Sequence, residues 1–245
     1  MDYLGVVILR NSNTTDTMIL IDRNRNYFKL FAASAVVLGL CGCDTETDYP
    51  EPISSEQILK PVMIVAHRGG MAYAPENTVI GFKNGQRLET DILELDVQVR
   101  ESEIFVLHDF TLERTTNCAM QSSDANATVR DSCDAGYRWL PGTNTFSKGI
   151  GIPYFRDKGV RIPLLEDVVD ETSSSDMRFM MDLKHINRGE AQSSIEQAVD
   201  TLLTFVIERS LESRTSINSS NAYALTRIEA ALPTISTVLS WGNSR

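Results

Sequence analysis

Short apolar runs that stop at charged residues constrain the fold of this chain more than any other feature. "PVMIVAH" (61–67) runs into His67-Arg68-Gly69-Gly70, "EIFVLHD" (103–109) ends on His108-Asp109, and "MRFMMDLKH" (177–185) carries Asp182 and Lys184 near its end. "DILELDVQVR" (91–100) alternates: Leu93, Leu95 and Val97 share one face, and Ile92, Glu94, Asp96 and Gln98 the other. With "RTSIN" (214–218) and "TISTVLSW" (234–241), six strands are predicted, at about 62–66, 92–97, 104–107, 177–183, 214–218 and 235–240. Helical spacing falls between them. The helices are predicted over 77–88, with Asn77 or Thr78 as N-cap and Gly81 and Gly85 as weak points, and over 164–172, 190–209 and 221–232, the last stopped by Pro233. Such alternation implies βαβ units and a parallel sheet. Polar residues gathered where strands stop point to a barrel or an open doubly wound sheet with its chemistry at the strand carboxyl ends. No GxGxxG follows the first strand, which counts against a dinucleotide fold.

The chain of 245 residues is long enough for one large α/β domain or two small ones. Its net charge of −10 argues against a nucleic-acid surface, which needs clustered Lys and Arg. The first segment reads separately. "RNRNYFK" (23–29) is basic, "LFAASAVVLGL" (30–40) is apolar but too short to span a bilayer comfortably, and "CGCDTETDYPEP" follows. This is the order of a secretory signal, and Leu40-Cys41-Gly42-Cys43 resembles a bacterial lipobox, in which Cys43 would carry the lipid. A cleaved signal without lipid and a buried strand are the alternatives; Met18 is an alternative start. Residues 1–43 are therefore read as signal, 44–60 as a flexible acidic tether and 61–245 as the folded domain. Residues 117–160 form a long polar, glycine-rich and aromatic connection, predicted to be an ordered loop. Cys118 and Cys133 bracket its first part and would form a disulfide in an oxidising compartment, or stay free thiols. Zinc is disfavoured because no Cys or His pairs sit at ligand spacing.

Glu94 and Asp96 point the same way on a strand that reads as central, and inward carboxylates there need a cation. Ligation by carboxylate oxygens suits Ca²⁺ or Mg²⁺. Taken singly, a strand-end histidine, an E-x-D pair or an Asp182-x-Lys184 pair is compatible with a structural or surface role. Together with His67, Arg68 and His108 they make an acid–base and anion-binding set. On an anionic substrate, cation and Arg68 would offset negative charge, and two imidazoles could take and give protons.

"AHRGGMAYAPENT", "LELDVQ", "FVLHD" and "LERTT" together resemble the glycerophosphodiester phosphodiesterase family, and "DAGYRW", "KGVRIPLLEDV" and "MDLKH" continue the pattern in order. The resemblance covers about 61–241 and implies a TIM-type (β/α) barrel with its site at the strand carboxyl ends. It implies that Glu94, Asp96 and Asp182 hold the divalent cation, Ca²⁺ or Mg²⁺. His67 and His108 would be the acid–base pair, with His67 on the attacking side, and Arg68 and Lys184 would bind phosphate. Glu76 of "PENT" would orient this set. The implied reaction is hydrolysis of a small glycerophosphodiester to sn-glycerol 3-phosphate and an alcohol, by an enzyme lipid-anchored in the cell envelope. Phospholipase D-like or phosphoinositide-cleaving activity, and an inactive ligand-binding lipoprotein, are the alternatives.

Two features depart from the family pattern. Its third metal carboxylate is usually glutamate in E-x-K, whereas this chain has Asp182-Leu183-Lys184, one methylene shorter. The family also continues with two further strands, so the barrel is expected to be truncated after about six. The residues do not determine the head group or the oligomeric state.

Overall fold

The computed structural model describes residues 6–8, 18–20, 63–124, 126–144, 148–172, 176–184 and 191–240. The expected signal segment at 30–40, the lipidation candidate Cys43 and the tether at 44–60 lie outside them. Near the N-terminus, β1 (Val6–Ile8) pairs antiparallel with β2 (Met18–Leu20).

Among the described residues the main sheet has six strands: β3 (Val65–Ala66), β4 (Ile92–Arg100), β5 (Glu103–Val106), β6 (Arg178–Leu183), β7 (Thr215–Ser219) and β8 (Ser236–Leu239). Five of them run parallel in the order β3-β4-β6-β7-β8. The exception is β5, which pairs antiparallel with β4. This corrects the expectation that the segment at 104–107 is a barrel strand like the rest. Only Glu101 and Ser102 separate β4 from β5, and Glu101 turns the chain at a left-handed φ of 53°. A parallel neighbour needs a crossover of a dozen residues or more, so so short a link can only make a hairpin. The parallel set ends on β3 and β8, neither with a second strand neighbour among the described residues, and Ile64, Val65 and Leu239 are exposed there.

Helices α1 (Val79–Arg87), α3 (Leu165–Thr172), α4 (Gln192–Glu208) and α5 (Ala222–Ala231) fall within a residue or two of the predicted spans. Thr78 caps α1, its Oγ1 accepting from Gly81 N–H at 3.1 Å; Asn77, the other candidate, is used elsewhere. Asn221 caps α5 in the same way, accepting from Ala224 N–H at 3.1 Å. Gly81 is a packing requirement rather than a flaw in α1, because a Cβ there would lie 2.7 Å from the Pro75 carbonyl oxygen. Gly69 belongs to the same contact: its φ is +78°, and a Cβ would sit 2.9 Å from the backbone of Gly81 and Phe82. No helix among the described residues is long and apolar enough to cross a membrane.

One core joins the helices to the sheet. Leu93, Leu95 and Val97 of β4, Phe179, Met181 and Leu183 of β6 and Ile217 of β7 pack with Ile195, Val199, Leu202 and Val206 of α4. The opposite face of those strands is left for Glu94, Asp96, Asp182 and Asn218, since side chains alternate with period two. A second, smaller core holds Phe105, Leu107, Leu112, Cys133, Val160 and Ile162. It lies under the 117–160 connection, which is less irregular than its sequence suggests. It contains a 3₁₀ turn at Ser122–Asp124 and α2 (Ala127–Ser132), and Cys118 and Cys133 are joined as a disulfide.

Candidate active site

The parallel register sets the site. Asp96 of β4 pairs with Asp182 of β6, and Asp182 with Asn218 of β7, so these three side chains stand in one row on the face away from the helices. Glu94 lies two residues before Asp96 on that face. Glu94, Asp96 and Asp182 bring carboxylate oxygens within 4.8 Å of one another. Burial, then repulsion from Asp96, pushes the Glu94 carboxyl well above its ordinary range. Burial also raises Asp182, against the attraction of Lys184. Asp96 goes the other way: burial opposes it, but Lys184 and Arg68 hold it down. Lys184 Nζ donates to Asp96 Oδ1 at 2.9 Å and also to Asp182 Oδ2.

Whether these residues suit a divalent cation can be judged from the donors. Three carboxylates, Glu94 and Asp96 buried and Asp182 nearly so, form a hard oxygen set, and crowding them raises the carboxyls of Glu94 and Asp182 because the nearby positive charge falls short. Asn218 Oδ1, next in the row, is buried without a hydrogen-bond partner. An orphaned acceptor beside crowded carboxylates is costly unless a cation or donor reaches it. The set therefore fits an oxygen-liganded dication, with Glu94, Asp96 and Asp182 as its holders.

Strand β3 delivers the other half. The chain leaves Ala66 in a 3₁₀ turn at His67–Gly69, with Arg68 at a left-handed φ of 52°. Arg68 N–H donates to Glu94 Oε2 at 2.6 Å, and Asn77 N–H to the Arg68 carbonyl at 3.0 Å, which hold this conformation. The Arg68 side chain is almost wholly buried. Its NH1 donates to Glu76 Oε1 at 2.9 Å, while Nε lies 3.3 Å from Asp96 Oδ2 at an angle too poor for a hydrogen bond, so this N–H is unsatisfied. His67 is about half exposed, with Nε2 3.9 Å from Glu94 Oε2. Desolvation within the concave mouth, then the charge of Arg68, lowers its pKa to about 4.

His108 arrives from the end of the β4–β5 hairpin. Its Nδ1 is 2.5 Å from Asp109 Oδ1; a carboxylate partner makes Nδ1 the donor and leaves Nε2 for other work. Gln98, on the face of Glu94 and Asp96, clasps this segment. Its Nε2 donates to the carbonyls of Leu107 at 2.9 Å, His108 at 3.3 Å and Asp109 at 2.8 Å. Arg114 closes the frame: NH1 and NH2 donate to Glu76 at 2.8 and 2.6 Å, and Nε to Asp109 Oδ2.

The structure thus places His67, Arg68, Glu76, Glu94, Asp96, His108, Asp182 and Lys184 around one mouth. Of the other candidates, Cys118 and Cys133 serve the connection, and Cys43 is not among the described residues. Sequence reasoning missed Asn77, whose Nδ2 donates to Asp96 Oδ2 at 2.6 Å, and also Gln98, Asp109, Arg114 and Asn218. Gln98 carried a signal, since alternation puts it on the carboxylate face; Arg114 had none beyond its motif.

Comparison with known proteins identifies the family. Residues 67–244 match the model of the Glycerophosphoryl diester phosphodiesterase family. A glycerophosphodiester phosphodiesterase of Caldanaerobacter subterraneus is 29% identical over 174 residues, 70% of this chain and 63% of that protein. One from Bacillus subtilis is 32% identical over 120 residues, 48% of this chain and 39% of its own length. The chain thus spans less than two thirds of these curated relatives. Among solved structures, the glycerophosphoryl diester phosphodiesterase domain of a Mycobacterium tuberculosis protein superposes with a TM-score of 0.58 at 22% identity, covering 73% of this chain and 59% of that one. An Oleispira antarctica phosphodiesterase in complex with the product sn-glycerol-3-phosphate gives 0.57 at 22%, covering 72% and 64%. At that identity the likeness carries the fold, a TIM barrel of which this sheet is a part. From the family match over most of its length and the curated relatives, the chain belongs to the glycerophosphoryl diester phosphodiesterase family.

Proposed function

We propose that this chain hydrolyses glycerophosphodiesters to sn-glycerol 3-phosphate and an alcohol, with Ca²⁺ or Mg²⁺ held by Glu94, Asp96 and Asp182. The observation that carries the reading is the meeting of these carboxylates with two histidines and a buried arginine that has an unsatisfied N–H. When bound, the cation supplies Lewis acidity and offsets charge on the phosphoryl oxygens. His67, held neutral by its low pKa, takes the proton of the attacking water as a P–O bond forms. His108, its Nδ1 fixed by Asp109, gives the proton on Nε2 to the alkoxide as the old P–O bond breaks. Exchange with solvent resets both rings. Arg68 Nε and Lys184 supply fixed positive charge for the phosphate.

Release of glycerol 3-phosphate from glycerophosphocholine, with and without chelator, tests this; a folded protein inactive at every cation concentration would refute it. A second reading, attack on a lipid phosphodiester, draws on Ile150, Ile152 and Tyr154, which are largely exposed on one loop. Lysophosphatidylcholine as a competing substrate separates the two. We also propose attachment to the cell envelope through a lipid on Cys43. Cys43→Ala is expected to move the protein from the membrane to the soluble fraction.

A further inference from the structure

Four charge-assisted links run unbroken from the Arg68 guanidinium to the His108 imidazole. Arg68 NH1 donates to Glu76 Oε1 at 2.9 Å, and Arg114 NH2 donates to the same oxygen at 2.6 Å. Arg114 Nε reaches Asp109 Oδ2, and Asp109 Oδ1 meets His108 Nδ1 at 2.5 Å. Arg114 stands in the middle with all three nitrogens committed: NH1 and NH2 fork Glu76, and Nε takes Asp109.

Each member is poorly placed without its neighbour. Glu76 has almost no exposure, and its carboxyl is held below the usual range despite burial, first by the Arg114 hydrogen bonds and then by the Arg68 charge. Asp109 behaves alike: burial opposes ionisation, and the His108 and Arg114 hydrogen bonds overcome it. A carboxylate bonded through one oxygen can swing about its Cβ–Cγ bond. Anchoring Oδ2 fixes the direction of Oδ1, and with it the plane of the imidazole.

We propose that Arg114 is a positioning residue that ties His108 to Arg68 through Asp109 and Glu76, and thereby aims the His108 Nε2 proton at the leaving oxygen. The proposal rests on the phosphodiesterase reading above for its consequence, though not for its geometry. Arg114 itself touches neither reacting atoms nor cation holders. A planar fork is needed, because a lysine ammonium on a flexible stem cannot bridge two carboxylates in fixed directions.

The test compares two diesters of glycerol 3-phosphate, one with choline and one with p-nitrophenol. Choline leaves as a strongly basic alkoxide that needs a proton, whereas p-nitrophenolate does not. Arg114→Gln is expected to lower kcat for the choline ester roughly 100-fold, the scale of a lost general acid, with KM little changed and the p-nitrophenyl ester affected less than about fivefold. Arg114→Lys is expected to fall between. Equal losses on both esters, a change in KM alone, or no change would overturn the proposal and leave a structural ion pair. A readout independent of turnover is the His108 Nδ1–H proton resonance of the full chain with cation bound. It is expected downfield in the wild type, weakened and shifted upfield in Arg114→Lys, and lost in Arg114→Gln and Asp109→Asn. If the wild type cleaves neither ester yet Arg114→Gln loses this resonance, the positioning stands and the phosphodiesterase reading falls. An unchanged resonance in Arg114→Gln refutes the positioning itself.

Discussion

Neutralising a carboxylate of the cluster should stabilise the cation-free protein and abolish its response to cation. Glu94→Gln is the informative substitution, because the amide keeps an oxygen to accept the Arg68 N–H now bonded at 2.6 Å. The cluster oxygens lie within 4.8 Å of one another. Two unit charges at that spacing repel by ~3 kcal/mol at an effective dielectric near 20. Lys184 is committed to Asp96 and Asp182, and the Arg68 N–H and nearby charges offset part of the remainder for Glu94. A net gain of about 1–2 kcal/mol at pH 8 in chelator is expected for the variant. The sign with pH follows from the raised carboxyl of Glu94. An acid whose folded pKa exceeds its unfolded value costs nothing well below the unfolded value, and costs progressively more as pH climbs from the unfolded toward the folded pKa. The gap between variant and wild type should therefore be near zero around pH 4 and widen upward. With cation at a hundred times its dissociation constant, the wild type gains ~2.7 kcal/mol by mass action and the variant far less, so the order of stability inverts. Urea unfolding followed by the fluorescence of the buried Trp139 measures both arms. A variant less stable than wild type in chelator at pH 8, or an equal cation increment in both proteins, refutes the reasoning.

Three further outcomes are expected. Replacing Cys118 and Cys133 with Ser opens a disulfide of sequence separation 15 and should cost ~3 kcal/mol in urea unfolding, the same loss that reductant causes in the wild type and none that it causes in the variant. Gln98→Leu strands the carbonyls of residues 107–109 that its amide now satisfies, and should destabilise by about 2 kcal/mol while lowering kcat on glycerophosphocholine. Asp182→Ala should abolish cation-dependent hydrolysis; turnover equal to wild type would remove Asp182 from the site despite its place in the cluster.

The sheet and its outer helices were legible because their signals are local. Leu93, Leu95 and Val97 alternate with Glu94 and Asp96, and a period of two leaves one arrangement when one face must be buried. What the alternation does not carry is strand direction. The segment at 103–106 has the composition of its neighbours, and only the shortness of the Glu101–Ser102 link reveals a hairpin. The N-cap of α1 was ambiguous for a related reason. Asn77 and Thr78 are equally good caps in isolation, and the choice is made by Asp96, 19 residues away, which takes the Asn77 amide. The 117–160 connection reads as an ordered loop, but its helical turns and its core stayed hidden because that core is assembled with Phe105, Leu107 and Ile162 from outside the segment.

The functional side chains were legible to the extent that they are short. Glu94, Asp96 and Asp182 are fixed by strand register, so a strand assignment already places their oxygens. Arginine and lysine are not placed by register, because their long stems let the charge arrive from several directions. Arg68 follows its histidine in a turn and reads as a phosphate clamp, but the sequence does not show that its guanidinium is buried between Glu76 and Asp96. Arg114 comes from a different segment to take the other side of Glu76. Charge balance explains why both are needed and why they are insufficient. Glu76, Glu94, Asp96, Asp109 and Asp182 are five carboxylates, and Arg68, Arg114 and Lys184 are three permanent cations, an excess of two negative charges in one mouth. The fold distributes that excess unevenly. Glu76 and Asp109 share Arg114 and stay ionised, which leaves the deficit on Glu94 and Asp182, where a dication meets it. The arginine network and the carboxylate cluster are thus halves of one electrostatic arrangement: the first satisfies its own charges so that the second cannot.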